Sequence, residues 1–298
     1  MSGISIIVPT LNEAEAPRII GQIYATFGKD VEVIVIDKSN ARMKKELLAT
    51  GANVITQKSA GYENALMEGF RLAKNDILAT IDADGTYSVE DLKRAINELQ
   101  KGEYSFVSGS RAQSFDGNVS RHIKFGNNFL TKLFNILYRR KMTDVLSGIF
   151  ALTKQAFDAI KDDEPYRAGT IFFEIELVRR GFSITDIPIG YAERKASKSK
   201  ISRAKPFYGI TMAFHAIRYA RDYNPLLIFG SIGVTAILVG IIIGVLVISN
   251  FLATGTLTEI GRALISFMLI IGGFLSIIAG LILDLLLEIE RKLYKKNR

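Results

Sequence analysis

Residues 77–85 read ILATIDADG, a stretch that joins a short apolar run to two carboxylates and a glycine. The run over residues 77–81 has the length and apolar character of a buried strand. Asp82, Asp84 and Gly85 follow where this strand would end, and a helix is predicted to begin near Ser88. The stretch therefore predicts a buried strand that delivers two carboxylates to the edge of a sheet.

Strands and helices alternate along the sequence before this stretch. The pattern predicts strands at residues 4–10, 31–36 and 54–56, and helices at residues 16–27, 43–50 and 61–74. Such alternation is typical of an α/β fold with a mostly parallel, Rossmann-like sheet and flanking helices. Because ligands of open α/β sheets bind beyond the carboxyl ends of the strands, we expect Asp37, Asp82 and Asp84 to converge on one crevice.

The carboxylate pair Asp82 and Asp84 is suited to a divalent cation. Mg²⁺ and Mn²⁺ are held by one or two carboxylates, while phosphate oxygens and water complete the coordination shell. The chain has no Cys and only two His, which excludes a Cys-based zinc site, a disulfide framework and a catalytic thiol. A pair with this spacing usually marks a solvated loop, but its position after an apolar strand, with Asp37 ending a neighbouring one, favours Mg²⁺ or Mn²⁺.

Two stretches near the C-terminus are free of charge. No charged residue occurs from residue 225 to 252 or from 263 to 283. Each stretch exceeds the roughly 20 residues that cross a bilayer as a helix, so we predict transmembrane helices at about residues 225–252 and 263–287. The alternative is a pair of core helices in a globular fold, but such helices rarely run this far without a polar face.

The charges around the two spans predict their orientation. The segment between them carries only Glu259 and Arg262, whereas Arg218 and Arg221 precede the first span and five Lys or Arg follow the second. By the positive-inside rule, both termini and the N-terminal domain face the cytoplasm. The first residues also lack the pattern of a signal peptide.

The net charge of +8 indicates an anionic partner, which could be nucleic acid, an anionic lipid surface or a phosphorylated substrate. No nucleic-acid-binding signature occurs and the basic residues adjoin the spans, so nucleic acid is disfavoured. Residues 121–141 combine apolar residues at helical spacing with basic ones, which fits either a core helix or a helix on the membrane. Gly240 and Gly244 form a GxxxG pair, which suggests a homo-oligomer through the transmembrane helices.

Several motifs spread over residues 4–201 resemble those of a known family, and they occur in the family's order. They are IIVPTLNE at 6–13, Asp37 with Ser39, DAD at 82–84, GSR at 109–111, DVLSGIF at 144–150, and DIPI at 186–189 through Arg194 to Ser199 and Lys200. The chain thereby resembles the family 2 GT-A glycosyltransferases, in particular the dolichol-phosphate mannose synthase type. The resemblance implies a GT-A catalytic domain, which we place at 1–203. Aromatic and apolar residues among basic ones predict an interfacial helix at 204–223. The two uncharged stretches place the transmembrane hairpin with its basic cytoplasmic tail at 224–298.

The activity that this resemblance implies is the inverting transfer of a single hexose from a nucleotide diphosphate sugar to a polyprenyl, dolichyl-type phosphate. GDP-mannose is the favoured donor, with UDP-glucose and UDP-N-acetylglucosamine as alternatives. A phosphate acceptor is already anionic near neutral pH, so the reaction requires no strong general base. The rival interpretations are a membrane GT-A enzyme that elongates a polysaccharide and a non-catalytic membrane adaptor that keeps the GT-A fold.

The resemblance also implies roles for individual residues. The donor-binding positions are Pro9, Asn12, Glu13, Asp37, Asp82 and Asp84, of which Asp82 and Asp84 hold Mg²⁺ or Mn²⁺. The acceptor-phosphate positions are Arg111, Arg121, Arg194, Ser199 and Lys200. The catalytic set is Asp84, Arg111, Arg121, Arg194, Lys200 and Glu174, with Glu176 as the alternative acidic residue.

The sequence departs from the mannose type at three places. Gly85 and Thr86 stand where a Leu-Gln pair is common, Ile36 replaces one of two acidic residues at the second strand end, and no glycine directly precedes the Ser199–Lys200 pair. These departures concern the metal site, the donor pocket and a phosphate-binding segment.

Overall fold

The computed structural model describes residues 3–114, 121–163, 169–192, 224–256 and 260–296. The chain divides into two compact units, Met1–Ala216 and Ile217–Arg298. The predicted interfacial helix at 204–223 lies outside the described residues, as do the predicted site residues Arg194, Ser199 and Lys200.

The described part of the first unit contains a seven-stranded sheet, ordered β3-β2-β1-β4-β6-β5-β7. The strands are β1 (Ile4–Thr10), β2 (Glu32–Asp37), β3 (Asn53–Thr56), β4 (Ile77–Thr80), β5 (Phe106–Ser110), β6 (Phe150–Thr153) and β7 (Ile184–Pro188). β6 runs antiparallel to its neighbours β4 and β5, and the other paired strands are parallel. The predicted mostly parallel α/β sheet is confirmed.

The described helices of this unit flank the sheet. They are α1 (Ala16–Phe27), α2 (Ala41–Leu48), α3 (Tyr62–Leu72), α4 (Val89–Gln100), α5 (Arg121–Tyr138), α6 (Lys154–Asp158) and α7 (Ile171–Arg179). α2 begins two residues before its predicted start because the Asn40 side chain caps it, accepting the Met43 N–H at 3.0 Å. α4 begins next to Ser88, as predicted, and the Ser88 hydroxyl accepts the Glu90 N–H at 3.2 Å.

Apolar side chains cover both faces of the central strands. On one face, Ile6 and Val8 of β1 belong to a buried cluster with Ile19 of α1 and Leu92 of α4. Phe150 of β6 alternates with members of this cluster and joins an aromatic group instead, in which Phe70 of α3 lies 5.9, 5.4 and 5.8 Å from Phe150, Phe157 and Phe173 between ring centroids. With both faces occupied, polar chemistry is left to the ends of the strands.

The second unit contains two long apolar helices, α8 (Pro225–Thr254) and α9 (Ile260–Lys296). Both are long and apolar enough to cross a membrane, over Pro225–Thr254 and Ile260–Leu287, and only 17% of each most apolar window is buried. The core helices of a soluble protein would be mostly buried, so the two helices indicate membrane association. They form the predicted hairpin.

Small residues let α8 and α9 approach closely. A Cβ atom on Gly273 would lie 2.6 Å from the Gly233 carbonyl oxygen, and one on Gly240 would lie 2.9 Å from the Ser266 carbonyl oxygen. The Ser266 hydroxyl donates to the Gly240 carbonyl at 2.7 Å. Gly240 and its GxxxG partner Gly244 both face Ser266 of the same chain. The pair therefore packs within the hairpin, and the homo-oligomer predicted from it has no support in the described residues.

Replacing Gly273 with Leu is expected to separate the two helices. The Leu side chain would overlap the α8 backbone at Gly233, whereas a Cβ atom on Gly272 would meet no atom within 4 Å. Spin labels on Cys replacing the exposed Leu238 and Leu275 report the separation, because the chain has no Cys of its own. Gly273→Leu should lengthen and broaden the label distance distribution, and Gly272→Leu should leave it unchanged. Equal distributions for both variants would contradict the close approach.

Candidate functional site

The carboxyl ends of β1 and β2 form one wall of the candidate site. Thr10 and Asp37, the last residues of these strands, are paired in parallel register. Asp37 is buried, and its Oδ1 accepts the Ser39 N–H at 2.9 Å. Pro9 and Glu13, also predicted to bind the donor, lie at this end of β1 and are buried. The sheet thus brings the predicted donor-binding residues Pro9, Glu13 and Asp37 to one edge.

Asn12 ties together the loops that follow β1 and β2. Its backbone N–H donates to the Ser39 hydroxyl at 2.7 Å, and its side-chain oxygen accepts the Asn40 N–H at 2.9 Å. Its φ of 52° lies in the left-handed region, which Asn tolerates better than most residues. Asn12 therefore holds the two loops together at this edge of the sheet. The contact with the nucleotide sugar that the resemblance implies for Asn12 stays a prediction.

Asp82 and Asp84 follow β4 at the same edge, and both are partly exposed. The Asp82 Oδ1 atom accepts the Tyr62 hydroxyl at 2.6 Å. The Asp84 Oδ1 atom accepts both the backbone N–H of Thr86, at 3.0 Å, and its hydroxyl, at 2.6 Å. Hydrogen bonds to a ligating carboxylate fix its orientation. Each member of the predicted metal-binding pair is therefore braced by a hydroxyl group.

Tyr62 was not among the residues predicted from the sequence. It is the first residue of α3, which follows β3, so the parallel topology places it at the carboxyl edge of the sheet. Burial raises the pKa of the Tyr62 phenol well above its ordinary value, and the Asp82 carboxylate raises it further. The phenol therefore stays protonated and donates its hydrogen bond to Asp82. The sequence signal that could have identified Tyr62 is its position at the start of a helix that follows a parallel strand, because such a position lies at the carboxyl edge of the sheet.

Gly148, two residues before the antiparallel strand β6, adjoins Asp82. Because β6 runs opposite to β4, its start at Phe150 is paired with Thr80 at the carboxyl end of β4. A Cβ atom on Gly148 would overlap the Asp82 carboxylate, so any other residue at this position would displace that carboxylate. The Gly148 N–H donates to the Tyr87 hydroxyl at 3.0 Å. The SGIF part of the sequence motif thus supports the metal-site carboxylate by close backbone packing.

Arg111 forms a buried ion pair with Asp144. Its Nε and Nη2 atoms donate to the two Asp144 carboxylate oxygens at 2.7 and 3.0 Å, and Nη2 also donates to the Leu146 carbonyl at 2.8 Å. Burial alone would raise the pKa of Asp144, but the Arg111 guanidinium outweighs it and holds this pKa below its usual value. The guanidinium also lies 5.5 Å from the Tyr191 ring centroid. A phosphate contact by Arg111 stays a prediction.

Glu174 lies in the first turn of α7 and is fully buried. Neither carboxyl oxygen accepts a hydrogen bond from another residue among those that the structure describes. Burial raises the pKa of Glu174 well above its usual value, its own backbone N–H partly offsets the shift, and Asp144 and Asp186 reinforce it. The alternative residue, Glu176, is instead paired with Arg179 at 2.8 Å. The role near the sugar implied for Glu174 stays a prediction.

The structure leaves the other cationic positions of the predicted site undescribed. Arg121 is the first residue of α5, but its side chain lies outside what is described. Arg194, Ser199 and Lys200 belong to the undescribed segment 193–223. The acceptor-phosphate positions therefore stay predictions, with Arg111 alone placed by its contacts.

The carboxylate pair fits a divalent metal. The described residues contain no group of three or more His, Cys, Asp or Glu that could hold a metal. Two hard oxygen ligands that are partly exposed and braced by hydroxyl groups suit an ion that completes its shell with phosphate oxygens and water. Asp82 and Asp84 would hold such an ion, which would neutralise charge on a bound diphosphate.

Tyr62→Phe is expected to weaken metal binding at this pair. The substitution removes the hydroxyl group that donates a hydrogen bond to Asp82 and orients its carboxylate. Losing such a hydrogen bond typically lowers metal affinity by about 10-fold. The metal concentration for half-maximal sugar transfer should rise by about that factor, while the rate at saturating metal changes less. Tyr24→Phe is the control, because its hydroxyl makes a long bond of 3.4 Å to the Gly51 carbonyl far from the pair in sequence. Identical metal titrations for wild type and Tyr62→Phe would contradict this role.

The mixed α/β sheet, with a carboxylate pair at the carboxyl end of β4, has the arrangement expected of a GT-A enzyme. The chain belongs to the family described as Glycosyl transferase family 2, whose sequence profile matches residues 5–161. The resemblance found in the sequence motifs is thereby confirmed, and the chain is a glycosyltransferase.

Relatives that match nearly all of the chain or about two thirds of it are known. The chain is 27% identical over 298 residues to Glycosyltransferase AglJ of Haloferax volcanii, covering 98% of this chain and 96% of the relative. It is 27% identical over 210 residues to the Dolichyl-phosphate hexose transferase of the same organism, covering 69% of this chain and 88% of the relative.

The fold also resembles solved structures. One is glucosyl-3-phosphoglycerate synthase from Mycobacterium tuberculosis in complex with Mn²⁺, UDP-glucose and phosphoglyceric acid. The TM-score is 0.60 at 18% sequence identity, and the match covers 74% of this chain and 80% of that one. At this identity the likeness establishes the GT-A fold alone.

Proposed function

We propose that this glycosyltransferase transfers a single hexose from a nucleotide diphosphate sugar to a polyprenyl phosphate, with inversion at the anomeric carbon. The observation that carries the proposal is the braced pair Asp82 and Asp84 in a chain with two apolar helices long enough to cross a membrane. The relative named Dolichyl-phosphate hexose transferase supports a lipid phosphate as acceptor. GDP-mannose is the favoured donor, and UDP-glucose and UDP-N-acetylglucosamine are the alternatives.

The proposed reaction exchanges one carbon–oxygen bond for another. An anionic oxygen of the lipid phosphate attacks the anomeric carbon as the bond from that carbon to the donor's diphosphate oxygen breaks. The nucleoside diphosphate leaves with the electron pair. Because a phosphate monoester has a second pKa of about 6, its oxygen is already ionised at neutral pH and no general base is required. The site must orient the reactants and offset their negative charge.

The described residues fit these tasks. Asp82 and Asp84 would hold Mg²⁺ or Mn²⁺ against the donor diphosphate, and Tyr62 and Thr86 keep the two carboxylates oriented. The structural relative that contains Mn²⁺ with UDP-glucose supports a divalent metal. The edge formed by Pro9, Asn12, Glu13 and Asp37 would receive the nucleotide. Arg111, Arg121, Arg194, Ser199 and Lys200 are proposed to contact the acceptor phosphate, and Glu174 to lie near the sugar.

We further propose that α8 and α9 cross the membrane and that both termini and the catalytic domain are cytoplasmic. The proposal rests on the excess of Lys and Arg outside the hairpin tip. The catalytic domain would extend over residues 1–203, with an interfacial helix at 204–223 and the hairpin and basic tail at 224–298.

A donor and acceptor panel with the full chain in detergent tests the reaction. GDP-mannose, UDP-glucose and UDP-N-acetylglucosamine, each labelled in the sugar, are offered with polyprenyl phosphate, with and without Mg²⁺ or Mn²⁺. Label should enter the lipid with one donor and only when the metal is present. Transfer to oligosaccharide acceptors instead would indicate a polysaccharide-elongating enzyme. Failure with every donor, under conditions in which the protein stays folded, would contradict the proposed reaction.

A further inference from the structure

Residues of three sequence motifs meet at the carboxyl end of β5. Ser110 and Arg111 belong to the GSR motif, Asp144 to the DVLSGIF motif and Asp186 to the DIPI motif. Thr143, which lies outside all three motifs, is hydrogen-bonded to both Ser110 and Asp186. Of these five residues, the proposed reaction gives a role to Arg111 alone.

One oxygen of the Asp186 carboxylate accepts three hydrogen bonds from the residues at 143–144. The Oδ2 atom accepts the Thr143 backbone N–H at 2.5 Å, the Thr143 hydroxyl at 2.7 Å and the Asp144 backbone N–H at 3.1 Å. Asp186 belongs to β7, and residues 143–144 lie in the loop before β6, so the contact joins the two strands that flank β5. Asp186 therefore fixes the backbone of Thr143 and Asp144 across the end of β5.

The Thr143 hydroxyl extends this chain of hydrogen bonds to Ser110. The two hydroxyl oxygens lie 2.5 Å apart. Thr143 has one hydroxyl proton to donate, and a carboxylate is a stronger acceptor than a hydroxyl group. Thr143 therefore donates to Asp186 and accepts the Ser110 hydroxyl. Ser110 is buried and directly precedes Arg111, so the chain of hydrogen bonds ends beside the Arg111 backbone.

The fixed backbone of Asp144 holds its carboxylate against Arg111. The Arg111 backbone N–H donates to Asp144 Oδ2 at 3.0 Å, and the guanidinium donates to both carboxylate oxygens. The Leu146 carbonyl accepts a further guanidinium N–H, and the Tyr191 ring lies beside the group. The Arg111 side chain is only 13% exposed. Its guanidinium is thus held in one orientation, and that orientation depends on where Asp144 lies.

We propose that Asp186 is a positioning residue for the lipid phosphate. Acting through Thr143 and Asp144, it sets the direction in which Arg111 presents its guanidinium to the acceptor. The proposal rests on the proposed function, in which Arg111 contacts that phosphate. The planar guanidinium binds phosphate oxygens strongly only in a well-aligned geometry. Loss of Asp186 should therefore weaken acceptor binding and leave metal and nucleotide binding unchanged.

Binding of farnesyl phosphate, a short prenyl phosphate, to the full chain in detergent tests this role by isothermal titration calorimetry. Asp186→Ala should raise the Kd about tenfold, a typical loss for hydrogen bonds to a charged group. Asp163→Ala is the matched control, because Asp163 is also a partly exposed, hydrogen-bonded carboxylate and its partner Arg180 keeps Glu176. The control should stay within about twofold of wild type. The Kd of GDP or UDP with Mn²⁺ should change for neither variant.

Two variants of Thr143 make smaller changes to the same contacts and keep the inference falsifiable if Asp186→Ala does not fold. Thr143→Val removes the hydroxyl that donates to Asp186 and accepts from Ser110. It should raise the Kd for farnesyl phosphate about threefold, as the loss of one such hydrogen bond predicts. Thr143→Ser keeps a hydroxyl group and should bind with the wild-type Kd. Wild-type binding by both Thr143→Val and Asp186→Ala would overturn the inference.

Arg111→Lys separates the inference from the proposed function. The substitution keeps a positive charge beside Asp144 but loses the planar group, so it should raise the Kd for farnesyl phosphate by itself. Asp186→Ala should then add less than about twofold in the Arg111→Lys background, because the two residues act together. Fully additive effects would overturn the inference and leave the proposed function intact. An unchanged Kd for Arg111→Lys would instead contradict the proposed contact between Arg111 and the acceptor.

Discussion

Asp82→Asn is expected to lower metal-dependent sugar transfer by about a thousandfold, which corresponds to about 4 kcal/mol of transition-state stabilisation. The substitution keeps the shape of the side chain and its capacity to accept the Tyr62 hydroxyl, but it removes one of the two negative charges of the pair. A neutral amide is a much weaker ligand for Mg²⁺ or Mn²⁺, and the diphosphate leaving group would lose the cation that offsets its charge.

The measurement is the initial rate of label transfer to polyprenyl phosphate across a range of Mn²⁺ concentrations. Asp162→Asn is the control, because Asp162 is an exposed carboxylate outside the candidate site. It should leave the rate within about twofold of wild type. Wild-type rates of Asp82→Asn at every metal concentration would contradict the assignment of the pair to metal binding. They would also contradict the proposal that this metal offsets the charge of the diphosphate.

The local pattern predicted the first half of the fold closely. β1 and α1 have the predicted bounds, and Pro17 near the start of α1 satisfies the preference for Pro in the first turn of a helix. The position of Asp37 and Asp82 at the same edge of the sheet followed from topology, since parallel strands end at a common edge. The spacing of apolar residues and the residues typical of turns are local properties of the sequence. They were sufficient to predict the bounds of these elements.

Contacts between residues distant in sequence could not be predicted in this way. The antiparallel direction of β6 is set by pairing with β4 across a long stretch of sequence, as in the register of Ile77 with Thr153. The hydrogen bond from the Tyr62 hydroxyl to Asp82 connects the start of α3 with the end of β4, and it depends on where the two side chains lie at the sheet edge. The apolar pattern of α5 indicated two possible environments, and only the packed structure separates a core face from an exposed one. These features arise from tertiary packing, which sequence periodicity does not encode.

The largest effect on stability is expected for Asp144→Ala. Asp144 is fully buried and accepts hydrogen bonds from the Arg111 side chain at 2.7 and 3.0 Å, from the Arg111 backbone N–H at 3.0 Å and from the Leu146 N–H at 3.1 Å. Its removal leaves the Arg111 guanidinium buried without its counter-charge, which typically costs about 3–5 kcal/mol. For a unit of this size, that loss lowers the Tm by about 10 °C.

Thermal unfolding of the full chain in detergent, followed by circular dichroism, measures this effect, and pH provides an independent readout. Because Arg111 holds the pKa of Asp144 below its unfolded value of about 3.9, the pair contributes stability at neutral pH that is lost as the pH falls through the lower, folded pKa. The wild type should therefore lose more Tm on acidification than Asp144→Ala does. Asp158→Ala removes an exposed partner of Lys161 and should cost under about 1 kcal/mol. A Tm for Asp144→Ala as high as that of Asp158→Ala would show that the buried pair does not stabilise the fold.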